Sequence, residues 1–151
     1  MNNMYKIIFH SVMTAVLAGS LASCAPTRTP TPGNPASWRG YKEEGKASYY
    51  ANHYQGKTMA NGQPYRKGKL IAAHKQMPFG TKVKVTNLDT GRSVKVVITD
   101  RGPFVRGRVI DLSRKAARRV GMIDAGVVPV KVKVIRTAPG NSAGSSTARR
   151  E

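Results

Sequence analysis

With 151 residues, the chain has room for one folded domain plus tails, and its composition is globular, which excludes a fibrous protein. Twenty-six Lys and Arg oppose seven Asp and Glu, giving a formal net charge of +19. So basic a chain favours anionic partners such as nucleic acid, anionic lipid or an acidic cell-wall polymer. Charge alone does not choose among these three, so the cellular compartment has to.

The N-terminal segment predicts export. Lys6 precedes an apolar run with small residues, which is typical of a secretory signal over residues 1–23. The alternative, a transmembrane helix, needs about 20 apolar residues, and this run is shorter. Leu21-Ala22-Ser23-Cys24 resembles a bacterial lipobox, which implies lipid attachment at Cys24, the only cysteine. Ala25 after it resembles lipoproteins of the outer membrane, so we expect a lipid-anchored envelope protein facing the periplasm, with no nucleic acid partner.

The rest of the chain divides by composition. Residues 24–44 comprise the lipidated cysteine and a tether that is rich in proline, and residues 137–151 have the composition of a disordered tail. The predicted folded domain is therefore 45–136, and no second domain fits.

The predicted elements are mainly strands. Polar and apolar residues alternate over 82–86, 94–98 and 130–134, and turn residues between the first two predict a hairpin. Ser113 is the expected N-cap of one helix, which ends near Gly121. Many short strands with little helix indicate a small barrel.

Few residues carry chemistry. The chain has no CxxC, no His-x-x-x-His and no glycine-rich phosphate loop, so we predict no metal and no cofactor. His74 follows an apolar run, Asp100 ends a predicted strand, and Asp111 lies just before the helix cap. Taken singly, a buried histidine, a turn aspartate and an acid at a helix start explain all three without any function.

Four segments together resemble a known family. They are GKASYYANHYQGKTMANG, LIAAHKQMPFGTKVKVTNL, GRSVKVVITDRGPFVRGRVIDLSRKAARRVG and VPVKVKVI, and in this order they are similar to rare lipoprotein A. The resemblance implies a six-stranded double-psi β-barrel with one or two short helices, and endolytic peptidoglycan transglycosylase activity. It implies Asp111, Asp100 and His74 as catalytic residues, and Ser48, Tyr50, Asn61, Gln63 and Arg101 as substrate-binding residues.

The resemblance also implies a mechanism. A lytic transglycosylase forms a 1,6-anhydro end without water, so a single residue acts first as acid and then as base. We expect Asp111 in this role, with Asp100 stabilising positive charge or tuning Asp111, and His74 hydrogen-bonding the sugar or orienting a carboxylate. The expected partner is the glycan strand, and we expect a monomer.

Two positions depart from the family pattern. Its ANG motif normally continues with Glu and, three residues later, Asp, where this chain has Gln63 and Arg66. The loss of both acids favours an alternative, a non-catalytic peptidoglycan-binding or expansin-like module that loosens the wall. A third reading, a basic lipoprotein that binds nucleic acid or lipopolysaccharide, has only the charge in its favour.

Overall fold

The structure is a computed structural model and describes residues 29–32 and 34–138. The predicted signal, the lipid attachment site at Cys24 and most of the predicted tail lie outside these residues, so those predictions stay predictions. Within the described ranges, every helix is too short or too polar to cross a membrane.

Six strands close into a barrel, which confirms the predicted fold class. Around the barrel the strands are ordered β1-β5-β2-β4-β3-β6. The pairs β1–β5 and β2–β4 are parallel, whereas the other four pairs are antiparallel. The strands are β1 (Lys42–Tyr49), β2 (Ile71–His74), β3 (Lys82–Asn87), β4 (Ser93–Asp100), β5 (Arg108–Leu112) and β6 (Val128–Arg136).

The predicted hairpin and helix are both present. Strands β3 and β4 are joined by a turn in which the Gly91 amide donates to the Asn87 carbonyl at 2.8 Å, with Gly91 at φ +70. Helix α1 (Arg114–Arg119) starts at Ser113, whose Oγ accepts from the Ala116 amide at 3.3 Å. The helix ends two residues before Gly121, and it packs Ala116 and Ala117 against the barrel.

Alternation along the strands builds the core. In β3, β4 and β6 the valines, apart from the half-buried Val97, are buried inside the barrel, and the intervening lysines point outward. Ile98, Ile110 and Leu112 fill the same interior from β4 and β5. Because the barrel is closed, every strand is hydrogen-bonded on both sides, and the outward lysines do not lie on open strand edges.

The structured region begins before the predicted boundary at Gly45. A 3-10 helix spans Pro35–Trp38, and strand β1 starts at Lys42. Trp38 is only 1% exposed and packs edge-on against Tyr41 and His74. The segment predicted as the end of the tether therefore contributes its tryptophan to the core.

Candidate active site

Four adjacent strands carry the candidate site on one row of register partners. Ser48 of β1 pairs with Asp111 of β5, Asp111 pairs with Ala73 of β2, and Ala73 pairs with Asp100 of β4. Register partners project from the same face of a sheet, so the two aspartates share a face with the serine. The strand spacing puts the backbones of Asp100 and Asp111 roughly 10 Å apart, with the backbone of Ala73 between them.

A short hydrogen-bonded chain reaches Asp111. Nη1 of Arg108 donates to Oγ of Ser48 at 2.8 Å, and the Ser48 hydroxyl donates to Oδ1 of Asp111. A guanidinium only donates, so it occupies a lone pair of the serine oxygen and leaves the single hydroxyl proton for the aspartate. The chain thereby orients Ser48 as a donor to Asp111.

Asp100 is held differently, by three donors. Oδ2 accepts from the Tyr50 hydroxyl at 2.6 Å, and Oδ1 accepts from the amides of Ala60 and Arg101, both at 2.8 Å. All three partners donate, so together they fix the orientation of the Asp100 carboxyl group. This arrangement suits a residue that stabilises positive charge.

Tyr50 is fixed as a phenol. Burial, the hydrogen bond to Asp100 and the negative charges of Asp100 and Asp111 all raise the pKa of Tyr50 well above its usual value. Its ring packs against Tyr65 at 4.7 Å between centroids and edge-on against Tyr54. Tyr50 is therefore a positioned donor and not a base.

The neighbouring arginines do not form ion pairs with the two acids. Among residues 29–32 and 34–138, no side-chain nitrogen of Lys or Arg lies within 4.0 Å of a carboxyl oxygen of Asp100 or Asp111. The Arg101 guanidinium instead lies 3.8 Å from the Phe79 ring centroid and donates to the Met77 carbonyl at 2.9 Å. Burial of this guanidinium lowers the pKa of Arg101.

The two aspartates lie in one groove of about 480 Å³, a volume that suits a small part of a polymer chain. Of the predicted site residues, Ser48, Tyr50, Asp100, Arg101 and Asp111 all line it. The remaining lining residues are Tyr49, Ala51, Tyr54, Gly102, Pro103, Phe104, Val105 and Arg108. Phe104 is 85% exposed, so an aromatic ring stands free at the groove.

His74 points away from this groove. It follows Ala73 in β2, and successive strand residues face opposite sides, so His74 lies with its register partner Ile110 on the core side. Its Nδ1 accepts from the amides of Gln76 and Met77, and its Nε2 bonds to Glu43 at 2.6 Å. Both ring nitrogens are thus engaged in holding the structure together, and the predicted catalytic role of His74 stays a prediction.

Asn61 and Gln63, in the loop after β1, do not line the groove. Oδ1 of Asn61 accepts from the Gln63 amide at 3.1 Å, which is a local turn contact. Gln63 and Arg66 line a second pocket of about 190 Å³ over the apolar floor of Met59 and Ile71. Neither Asn61 nor Gln63 lines the groove, so their predicted contacts with substrate stay predictions.

Two site residues have no signal in the sequence. Arg108 contacts Ser48 across sixty residues, and Glu43 contacts His74 across thirty-one. Phe104 is different, because an aromatic residue directly after a Gly-Pro turn is visible as a candidate surface contact. In the described part of the chain, no group of three or more His, Cys, Asp or Glu could hold a metal ion.

Residues 42–132 match the model of a protein family described as lytic transglycolase, with a double-psi β-barrel domain. The chain belongs to this family. The matched range covers all of β1 to β5 and half of β6, including both aspartates. The resemblance to rare lipoprotein A is thereby confirmed.

Curated relatives agree. The chain is 46% identical over 103 residues to the endolytic peptidoglycan transglycosylase RlpA of Campylobacter jejuni, covering 68% of this chain and 38% of the relative. It is 51% identical over 94 residues to the probable enzyme of that name from Nostoc, covering 61% and 25%. The match thus spans only about a quarter to two fifths of these relatives' length.

Solved structures of proteins with different functions are similar to this barrel. A Streptomyces papain inhibitor superposes with a TM-score of 0.54 at 28% identity, covering 65% of this chain and 97% of the inhibitor. The apo expansin of Clavibacter michiganensis gives 0.52 at 25% identity, covering 66% and 53%. Since an inhibitor and an expansin share this fold, function has to be argued from the site.

Proposed function

We propose that the chain is a lytic transglycosylase that cleaves the MurNAc–GlcNAc bond of peptidoglycan glycan strands and leaves a 1,6-anhydro end. The observation that carries the proposal is that Asp111 and Asp100, each a register partner of Ala73, share one face of the barrel and both line a single groove. The names of the relatives support the same reaction.

The unequal hydrogen bonding of the two acids supports unequal roles. Asp111, which accepts from the Ser48 hydroxyl, is the acid that protonates the glycosidic oxygen as its bond to the muramoyl C1 breaks. The muramoyl C6 hydroxyl then attacks C1, and its proton returns to Asp111. No water enters the product, and Asp111 ends the cycle protonated as it began.

Asp100 has the complementary role. Between the two steps, positive charge develops on the sugar ring, and a fixed carboxylate nearby stabilises it. Three donors from three separate segments hold the Asp100 carboxylate in place, so it does not need to reorient during the reaction. Arg101 contributes its backbone amide to this arrangement, and its side chain packs elsewhere.

A second candidate function, non-catalytic glycan binding, has its own supporting observation. The pocket beside the groove that holds Gln63 and Arg66 has no acidic lining residue. The chain also resembles an expansin in structure. If its two aspartates were inactive, it would bind the glycan strand without releasing any product.

The deciding experiment is digestion of purified sacculi by the purified chain, with mass spectrometry of the released products. We expect 1,6-anhydromuramoyl ends from the wild type and at least a hundredfold less from Asp111→Asn, which keeps the shape and loses the transferable proton. Asp124→Asn is the matched control, since this exposed aspartate is outside the groove. Sedimentation with sacculi without any product from the wild type would support the binding module instead.

The proposal extends to location. The signal-like segment and lipobox support a lipid anchor at Cys24 in the bacterial envelope, where the glycan substrate lies. Metabolic labelling with a palmitate analogue tests this, because Cys24→Ala removes the acceptor and we expect labelling to vanish.

A further inference from the structure

We infer that a third pocket, distinct from the groove and from the pocket of Gln63 and Arg66, binds carboxylates carried by the glycan strand. This basic pocket, of about 320 Å³, is lined by Lys67, Gly68, Arg114, Lys115 and Arg118. Four of these five residues are cations and none is acidic. The inference rests on the proposed function, since it assigns a contact to the same substrate.

The basic pocket is held together by its backbone. One wall is a turn in which the Lys69 amide donates to the Arg66 carbonyl at 3.0 Å, and the other wall is helix α1. The Lys115 amide donates to the Lys67 carbonyl at 3.0 Å, and the Ser113 hydroxyl donates to the Lys69 carbonyl at 2.6 Å. These two hydrogen bonds join the walls, so the backbone positions that carry the four cations are fixed relative to one another.

The positive charge of the pocket is uncompensated by the described protein. The two ion pairs found in residues 29–32 and 34–138 join His74 to Glu43 and Lys131 to Glu44. None of the four cations of the basic pocket has a carboxylate partner there. Because like charges repel one another, an anion bound among these four cations would relieve the repulsion.

The basic pocket also adjoins the groove. The guanidinium of Arg114 lies 5.9 Å from the ring centroid of Tyr49, and Tyr49 lines the groove. The groove and the basic pocket therefore meet at Tyr49, within reach of a substituent on a sugar in the groove. Muramoyl sugars bear a lactyl group that ends in a free carboxylate or continues into a stem peptide with carboxylates of its own, so the strand supplies the anion in either form.

The test is calorimetric titration of the full chain with oligosaccharides of equal length, in an Asp111→Asn background that prevents cleavage. The ligands are peptide-free and peptide-bearing muramoyl oligosaccharides and an uncharged chitin oligosaccharide. We expect the double substitution Lys67→Ala with Lys115→Ala to weaken binding of a carboxylate-bearing ligand about tenfold, because charge-assisted hydrogen bonds are lost. Chitin binding should be unchanged. Lys84→Ala with Lys95→Ala is the matched control, because it removes two exposed lysines from strands β3 and β4.

Each outcome is informative. A loss with the peptide-free ligand assigns the lactyl carboxylate, and a loss confined to the peptide-bearing ligand assigns the stem peptide. Equal losses from both double variants, no loss from either, or an equal loss of chitin binding would overturn the inference. Release of anhydro products from sacculi by the wild-type chain is measured separately, so failure of the basic pocket is distinct from failure of the proposed function.

Discussion

The hydroxyl of Tyr50 lies 2.6 Å from Oδ2 of Asp100, so the segment leaving β1 is bonded to the end of β4, fifty residues along the chain. Tyr50 lies two residues after Ser48, whose hydroxyl donates to Asp111. A single short segment, Ser48 to Tyr50, therefore provides a hydroxyl donor to each of the two acids.

Removing the Tyr50 hydroxyl tests its contribution to the reaction. We expect Tyr50→Phe to lower the rate of anhydro product release about tenfold, because Asp100 loses one of its three donors and with it part of its fixed orientation. Tyr54→Phe is the control, since it removes a hydroxyl from another groove-lining ring. Equal rates for both variants and the wild type would exclude a role for the Tyr50 hydrogen bond.

Tyr50 also predicts how stability depends on pH. Because its pKa is raised above 10.0 in the folded state, chiefly by burial, the folded chain keeps a proton that the unfolded chain loses. The stabilisation is therefore complete below pH 10 and declines as pH rises above it. Between pH 9 and about 12, the free energy of unfolding measured in urea should decline less for Tyr50→Phe than for the wild type. The remaining decline comes from Tyr41 and Tyr65, whose pKa values are also raised. The same slope in both proteins would contradict this.

Ser48 links Arg108 to Asp111, and Ser48→Ala breaks both contacts. We expect a rate loss of about tenfold and a decrease of about 1–2 kcal/mol in the free energy of unfolding, because the half-buried Arg108 side chain loses an acceptor. Product release and urea unfolding are measured on the same preparations, with Ser93→Ala at the exposed start of β4 as the control. A stability loss without a rate loss would reduce Ser48 to a structural residue.

His74 provides the opposite pattern. We expect His74→Ala to lower the free energy of unfolding by about 3 kcal/mol, because it removes a buried ring packed against Trp38, two backbone contacts and the bond to Glu43. Product release at a temperature where the variant stays folded should remain within about threefold of wild type. His53→Ala, at an exposed position, should change neither quantity. A large rate loss with the stability intact would restore the predicted catalytic role.

Much of the fold was predictable because the signals are local. Alternation marks β3, β4 and β6 within the printed sequence, and the cap at Ser113 marks the helix, since both depend on residues a few positions apart. Strand β2 has four buried residues and no alternation to mark it. Trp38 was assigned to the tether side of the boundary because a lone tryptophan after a proline-rich stretch gives no periodic signal.

The candidate site was likewise predictable only in part. Asp100 and Asp111 were recognised from the family pattern, and the structure brings both to one groove. Which face His74 occupies depends on the register of β2 between β4 and β5, and no pattern of single residues contains that register. The contacts of Arg108 with Ser48 and of Glu43 with His74 likewise exist only after the barrel has closed.

Ala73 shows what this dependence means for the working protein. The acids on either side of it belong to strands that meet only through β2, so no single hairpin or excised peptide can assemble the pair. Opening either ladder of β2 separates the acids before the rest of the chain has to unfold. On heating, activity is thus expected to be lost when this one strand opens. A thermal scan that follows both activity and global unfolding would show whether β2 opens before the rest of the chain melts.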